Sequence, residues 1–258
     1  MAGAAELFDL SGAVAVVTGA SGGLGRRFAR TLADAGAAVA LAARRVDEIA
    51  AAAAEIEAGG GRALAVRLDV TDAGGIARMV RAVADGLGPI AVLVNNAGIA
   101  VTRPALEQTE ADWDRVLDVD LKGCWLTARA VAEHMVGHGR GGSIVNVASI
   151  AGLRPIAHVP GYVAAKAGLI RLSEALALEW ARHGIRVNTL APGYIRTPLN
   201  AAFLDGPAGG AMVRRIPTRR FGEPADLDGA LLLLASNAGR HITGATLVVD
   251  GGHSVSSL

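Results

Sequence analysis

Cysteine, aromatic side chains and net charge are all scarce in this chain. The single cysteine, Cys124, rules out an intramolecular disulfide and fits a reducing compartment, so a cytoplasmic protein is expected. Its apolar neighbours mark it as a buried structural thiol rather than a nucleophile. Aromatics make up 3% against 52% hydrophobic residues overall, so a core must be built from Ala, Val, Leu and Ile. The 25 basic and 24 acidic residues leave a formal charge of +1, and no nucleic-acid footprint follows. Arg44-Arg45, Arg214-Arg215 and Arg219-Arg220 read as short solvated pairs. No apolar run of ~18 residues is free of charges and turn residues, so no membrane span is expected. The first ten residues carry Glu6 and Asp9 and no basic stretch, so no signal peptide is expected there. The six histidines lack metal-ligand spacing. His134 and His138 stand at i, i+4 without a third ligand, which reads as a solvated helix end.

Glycine is abundant, with 34 residues, and many tight turns or close backbone approaches are expected. Apolar runs of strand length at 13–18, 37–43, 63–68, 90–94, 143–148, 185–190 and 245–249 alternate with helical patterns. The helices are expected at 23–36, 46–58, 72–86, 110–136, 161–183 and 224–235, with Thr71 or Asp72, and Thr109, as caps. This alternation implies parallel pairing through right-handed crossovers. Uninterrupted apolar strands imply helices on both faces. The expected architecture is α/β: one doubly wound parallel sheet of about seven strands, forming a single domain over 1–258. Ligands on such sheets bind at the carboxyl ends of the strands.

Two patterns at those ends carry chemistry. Thr18-Gly19-Ala20-Ser21-Gly22-Gly23-Leu24-Gly25 follows the first strand and opens the first helix. Glycines there permit a tight turn and let a pyrophosphate approach a helix N-terminus. Tyr162 and Lys166 share one helix face at i, i+4, and Ser149 lies thirteen residues earlier. A neighbouring ammonium favours the charged form of a phenol, which suits a proton carrier. A serine hydroxyl can hold a carbonyl or alcohol oxygen beside it.

The end of the second strand bears on cofactor choice. An Asp or Glu there would bond the ribose 2′-hydroxyl of NAD. This chain has Ala43, then Arg44 and Arg45. Arg44 is placed to bind a 2′-phosphate, so NADP is favoured. An Arg44 that is merely exposed, with either NADP or NAD accepted, is the alternative. Asp47 and Glu48 are read as caps of the following helix.

With these motifs the chain resembles the short-chain dehydrogenase/reductase family, of about 250 residues and Rossmann-like fold. Asn95-Asn96-Ala97-Gly98 matches its N-N-A-G. Ser149, Tyr162 and Lys166 match its catalytic trio, and Pro192-Gly193, Ile195 and Thr197 match its P-G-x-I-x-T stretch. The resemblance implies hydride transfer between a nicotinamide and a ketone or secondary alcohol. Tyr162 would be the general acid/base, Lys166 would tune it and bond the ribose, and Ser149 would polarise the substrate oxygen. It implies cofactor contacts from Gly19, Ser21, Gly23, Leu24, Gly25, Arg44, Asp69, Val70, Asn96, Ala97 and Gly98. Further contacts would come from Tyr162, Lys166, Pro192, Gly193, Ile195 and Thr197. It also implies a homotetramer built on the two long helices, with the tail 251–258 at a neighbouring interface or pocket.

The family usually places an asparagine where this chain has Asp120. The resemblance implies that the backbone carbonyl there supports a proton-relay water to the lysine, which a substitution would leave in place. The new carboxylate could also pair with Lys166, so Asp120 is a candidate fourth catalytic residue. The substrate pocket is expected from 99–101, 150–158, Tyr194 and 199–217, mostly apolar, which suits a small hydrophobic ketone or alcohol. Arg154 and His158 are read as solvated loop positions. Phe203, Leu204 and Met212 are read as a lid at about 198–217 hinged on nearby glycines. The family includes 3-oxoacyl-carrier-protein reductases, and Arg140 and Arg182 are weak candidates for docking a carrier protein.

Overall fold

Short apolar runs form strands here because helices cover them on both sides. The computed structural model describes residues 3–197 and 200–256. It holds seven strands: β1 (Val14–Thr18), β2 (Ala38–Ala43), β3 (Arg62–Arg67), β4 (Ile90–Asn95), β5 (Gly142–Val147), β6 (Ile185–Pro192) and β7 (Thr246–Val249). They form one all-parallel sheet in the order β3-β2-β1-β4-β5-β6-β7. β1 and β2 are buried along their whole length, whereas the edge strands β3 and β7 are only partly covered.

Ten helices are described: α1 (Ala4–Phe8), α2 (Gly23–Asp34), α3 (Val46–Ala58), α4 (Ala73–Gly86), α5 (Glu110–Leu117), α6 (Cys124–His138), α7 (Pro160–Trp180), α8 (Ala201–Asp205), α9 (Pro207–Val213) and α10 (Asp228–Ala235). Alternate residues of each strand face opposite sides. Ala15 and Val17 therefore join Phe28, Leu32, Ile49, Ile56, Leu231 and Leu234 in one core layer. Val14 and Val16 join Ile76, Met79, Val83, Val131, Met135 and Leu176 in the other. Fully burying one such Leu, Ile or Phe contributes roughly 1.5–3 kcal/mol. The layers rest on aliphatic packing, as the aromatic scarcity required.

Three expected helices differ in detail. The stretch 110–136 is not one α-helix: a π-helical turn, Asp118–Gly123, separates α5 from α6, and α6 runs on to His138. That turn carries Asp120, and the extra residue it accommodates redirects the helix at the cleft. α7 ends in a 3₁₀ turn, Ala181–His183, and α10 is preceded by one, Pro224–Leu227. Asp72 holds the N-cap position of α4. Thr109 caps α5, its hydroxyl accepting from the Asp112 N–H at 3.1 Å while the Asp112 carboxylate accepts from the Thr109 N–H.

The histidine pair is not a solvated helix end. His134 Nε2 accepts from the Ile90 N–H at 3.2 Å, and His138 Nε2 lies 3.2 Å from the Ile90 carbonyl. Both rings are half-buried and clip α6 to the start of β4.

Candidate active site

The sheet order reverses between β1 and β4, and a crevice forms outside their carboxyl ends. The glycine loop lies on one wall of it. Gly19 adopts φ +67°, a left-handed conformation that a side chain would strain. A Cβ on Gly25 would meet the Gly19 carbonyl oxygen and lie 2.6 Å from Asn96 Nδ2. Only glycine lets α2 start this close to β4. Thr18 locks the two motifs together. Its buried hydroxyl accepts from the Asn96 and Ala97 N–H groups, both at 3.0 Å, and Asn96 Nδ2 donates to the Thr18 carbonyl at 3.0 Å. Asn95 turns inward instead, donating to the Cys124 carbonyl at 3.0 Å and to Asn146 at 2.9 Å, which pins β4 to α6 and β5.

A cleft of about 1500 Å³ runs from this loop to the catalytic candidates. Asp69 and Val70 line one end. The Asp69 carboxylate accepts from the Thr71 N–H and hydroxyl, at 3.0 and 2.8 Å, and the backbone bond first among these holds its pKa down. Arg44 is exposed at the mouth of the cleft. Arg45 also lines it, donating to Ser21 Oγ at 2.9 Å and pairing with Glu48 at 2.8 Å.

At the opposite end Ser149, Tyr162, Lys166 and Asp120 all line the same cleft. Ser149 follows β5 and caps the 3₁₀ turn Ile150–Gly152, its Oγ accepting from the Ala151 N–H at 3.1 Å. Tyr162 and Lys166 lie on the first two turns of α7, with Nζ 5.5 Å from the phenol ring centroid. Lys166 is buried and donates to the Val147 carbonyl at 3.0 Å. Asp120 is fully buried, and its Oδ1 accepts from the Ile99 N–H at 2.7 Å. Its Oδ2 lies 3.2 Å from Lys166 Nζ without a well-directed hydrogen bond, so the contact is an ion pair by charge. Burial pushes the Asp120 carboxyl up, against the pull of Lys166 and the Ile99 N–H. Burial would push Lys166 down, but the Asp120 carboxylate overrides it and the ammonium ends well above its usual range. Gly98 makes room for the pair: a Cβ there would sit 2.9 Å from Asp120 Oδ2.

The family model described as "short chain dehydrogenase" matches residues 13–207. The chain belongs to the short-chain dehydrogenase/reductase family. It is 40% identical over 248 residues to D-threitol dehydrogenase of Mycolicibacterium smegmatis, covering 96% of this chain and 95% of that protein. It is 40% identical over 247 residues to 3beta-hydroxysteroid dehydrogenase 1 of Eggerthella lenta, covering 95% and 94%. The crystal structure of a gluconate 5-dehydrogenase from Burkholderia cenocepacia, in complex with NADP and tartrate, superposes with a TM-score of 0.95 at 35% identity, covering 99% of this chain and all of that one. Membership makes this short-chain dehydrogenase an NAD(P)-dependent oxidoreductase of alcohols and ketones.

The dehydrogenase fold gathers all the expected site residues, with one exception in kind. Gly25 does not line the cleft; it allows the close approach of helix and sheet behind it. The nucleotide has a fitting cradle: a helix N-terminus, a left-handed glycine and two arginines around one cleft. Arg45 and Glu48 also line the cleft, and their place just past the second strand is the signal in the sequence that points to them. Arg154 is not a solvated loop residue. Its Nη1 donates to the His253 carbonyl at 3.0 Å and the Ser256 carbonyl at 3.2 Å. His158 is exposed and outside the cleft lining. Cys124 is buried as expected, its thiol pushed up to about 11 by burial.

In the stretch 198–217, Leu204 and Met212 pack with Tyr194, Val213, Ile216 and Phe221. A Cβ on Gly209 would strike the Leu204 carbonyl, so glycine there lets α9 lie close against α8. Leu199 and the Phe203 side chain, like Ser257 and Leu258 of the tail, lie outside the described residues. Among the described residues no helix is long and apolar enough to cross a membrane, and no cluster of three His, Cys, Asp or Glu could hold a metal.

Proposed function

We propose that this enzyme interconverts an uncharged, largely hydrophobic ketone and its secondary alcohol with NADP(H), using Tyr162 as general acid/base. The observation that carries this reading is one cleft shared by the glycine loop, Arg44 and Arg45 at one end and Ser149, Tyr162 and Lys166 at the other. Bound nicotinamide supplies or accepts the hydride. Ser149 Oγ holds the substrate oxygen, and Tyr162 gives it a proton in reduction or takes one in oxidation. Lys166 is held charged beside the phenol ring by Val147 and Asp120, and so offsets the negative charge that builds on the phenol oxygen as the proton leaves. The cofactor's phosphates fit the N-terminus of α2 and the 2′-phosphate fits Arg44.

The substrate side supports an uncharged ligand. The lining there includes Ile150, Ala151, Ile156, Val159 and Tyr194, and Arg154 is engaged by the chain's own carbonyls. The 3-oxoacyl-carrier-protein alternative is not favoured, because the relatives are named for a polyol, a steroid and a sugar acid. We also infer a cytoplasmic homotetramer, supported by exposed Trp113, Trp125, Val136 and Leu178 on α5, α6 and α7. Light scattering on the purified protein tests it, and a monomer would overturn it.

The test of function is NADPH or NADH consumption with aliphatic, aryl and cyclic ketones, beside oxidation of gluconate. Uncharged ketones with NADPH should give the highest kcat/KM. Preferential turnover of gluconate would overturn the substrate reading, and loss of all turnover in native protein that binds NADPH would overturn catalysis.

A further inference from the structure

We propose that residues 250–256 form a strap that sets the substrate-side wall of the cleft, with Arg154 as the positioning residue that fastens it. The inference rests on the substrate side assigned above. Segments outside the regular elements open easily unless they are tied down. Residues 250–256 are tied from outside at two places, by Arg154 and by Thr218. Arg154, in the loop after β5, reaches the His253 and Ser256 carbonyls and Ser256 Oγ, at 3.0, 3.2 and 3.4 Å. It forms no ion pair among the described residues, so the guanidinium is committed to the strap. The Thr218 N–H donates to the Gly251 carbonyl at 3.2 Å, and a Cβ on Gly252 would lie 3.0 Å from the Pro217 ring. The Asp250 carboxylate shapes the strap from within, accepting from the Gly252 and Ser254 N–H groups at 2.8 and 2.6 Å.

The strap reaches the cleft through one residue. The His253 ring packs on Tyr194, with centroids 5.5 Å apart and planes tilted by 39°. Tyr194 lines the cleft, whereas no strap residue does. The strap therefore joins the loops after β5, β6 and β7, which are separate in sequence, behind a single wall side chain. If Arg154 lets go, His253 loses its seat and Tyr194 loses its backing. The glycine loop and nucleotide end, on the far side of the cleft, are untouched.

Full-length Arg154→Ala, His253→Ala and His253→Phe test this, using the ketone that the native enzyme reduces fastest. The two alanine variants should raise KM roughly tenfold while kcat and the NADPH dissociation constant stay within about twofold, a pattern that general loosening does not give. His253→Phe, which keeps a flat ring against Tyr194, should restore KM. Amide hydrogen exchange in the alanine variants should rise at 193–195 and 216–218 and stay unchanged at 18–25. An unmoved KM, a His253→Phe variant as impaired as His253→Ala, or parallel losses in kcat, NADPH affinity and exchange protection throughout would each overturn the strap. Should the native enzyme reduce no ketone, the substrate reading fails by itself. The exchange pattern still decides the strap: a local rise supports it, and no rise or a general rise refutes it.

Discussion

Replacing Asp120 with Asn should change both the stability of the fold and the rate of alcohol oxidation, because it removes one member of a buried ion pair. At an effective dielectric near 20, the Asp120–Lys166 charges 3.2 Å apart attract by about 5 kcal/mol. Taking each ion out of water costs several kcal/mol, so the pair comes out close to balance. The direction of the Asp120 shift has the same sign. Its carboxyl is raised above 3.8 by burial, so its contribution to stability is complete below that pH and is lost as pH rises through the folded value. Removing one partner is different: the amide keeps the acceptor for Ile99 but leaves the Lys166 ammonium, which Asp120 holds above its usual range, buried with only the Val147 carbonyl, so Asp120→Asn should destabilise by about 3 kcal/mol and melt roughly 6–12 °C lower. Function is another matter. Lys166 Nζ lies 5.5 Å from the Tyr162 ring centroid and Asp120 is 3.2 Å beyond Nζ at most. The carboxylate is thus no more than about 9 Å from the ring and opposes negative charge there by about 2 kcal/mol. Without that opposing charge, Asp120→Asn should raise kcat/KM for alcohol oxidation roughly tenfold at one fixed neutral pH. The assay is kcat/KM for the best alcohol with NADP at that pH, with melts at one fixed protein concentration. A kcat/KM that is unchanged or lower refutes the coupling, and a melt within about 2 °C of native refutes the cost of the unpaired ammonium.

Other expectations come from single contacts. Gly25→Ala forces a methyl against the Gly19 carbonyl and Asn96, and should destabilise by about 2 kcal/mol and weaken NADPH binding at least tenfold, read by melting and fluorescence titration. Glu48→Gln frees Arg45 from its 2.8 Å partner and removes a negative charge from the cleft, so the preference for NADPH over NADH should rise roughly fivefold by direct titration of both. Arg44→Ala should weaken NADPH binding roughly tenfold and leave NADH unchanged; equal losses for both would remove Arg44 from the 2′-phosphate site. His134, lowered from 6.5 by burial and then by His138, adds stability that is present above pH 6.5 and lost as pH falls through its folded value. Melting should therefore decline below that pH, by about 1 kcal/mol for the Ile90 hydrogen bond, and His134→Gln should flatten the decline.

The sheet was legible because its strands are buried on both faces. Val14–Thr18 and Ala38–Ala43 read as unbroken apolar runs for the same reason that helices cover them. The break at Asp118–Gly123 was not legible. Hydrophobic periodicity continues through a π turn with only a shifted phase, and what holds the turn open is Asp120 bonding to Ile99, twenty-one residues earlier. His134 and His138 were misread for a related reason. A helix face looks solvated in sequence when the partner is a backbone group, and Ile90 offers its N–H and carbonyl without any signature in its side chain.

The site divides along the same line. The glycine loop, Ser149, Tyr162 and Lys166 were readable because their chemistry depends on residue type at short spacing, which sequence preserves. Arg154 and His253 depend on what the chain brings together across 99 residues, and the Arg154 contact is again to a carbonyl that any residue could supply. Arginine in an exposed-looking loop is ordinarily solvent-facing, so its side chain type carried no hint of a role. The contrast also bears on substrate choice. An arginine free at the cleft would favour a carboxylate-bearing substrate, whereas one spent on the tail leaves the wall to Ile150, Ile156, Val159 and Tyr194. Relatives with the same catalytic chemistry but a free cation at this wall should accept sugar acids, and this enzyme should reject them for as long as Arg154 stays fastened to the strap.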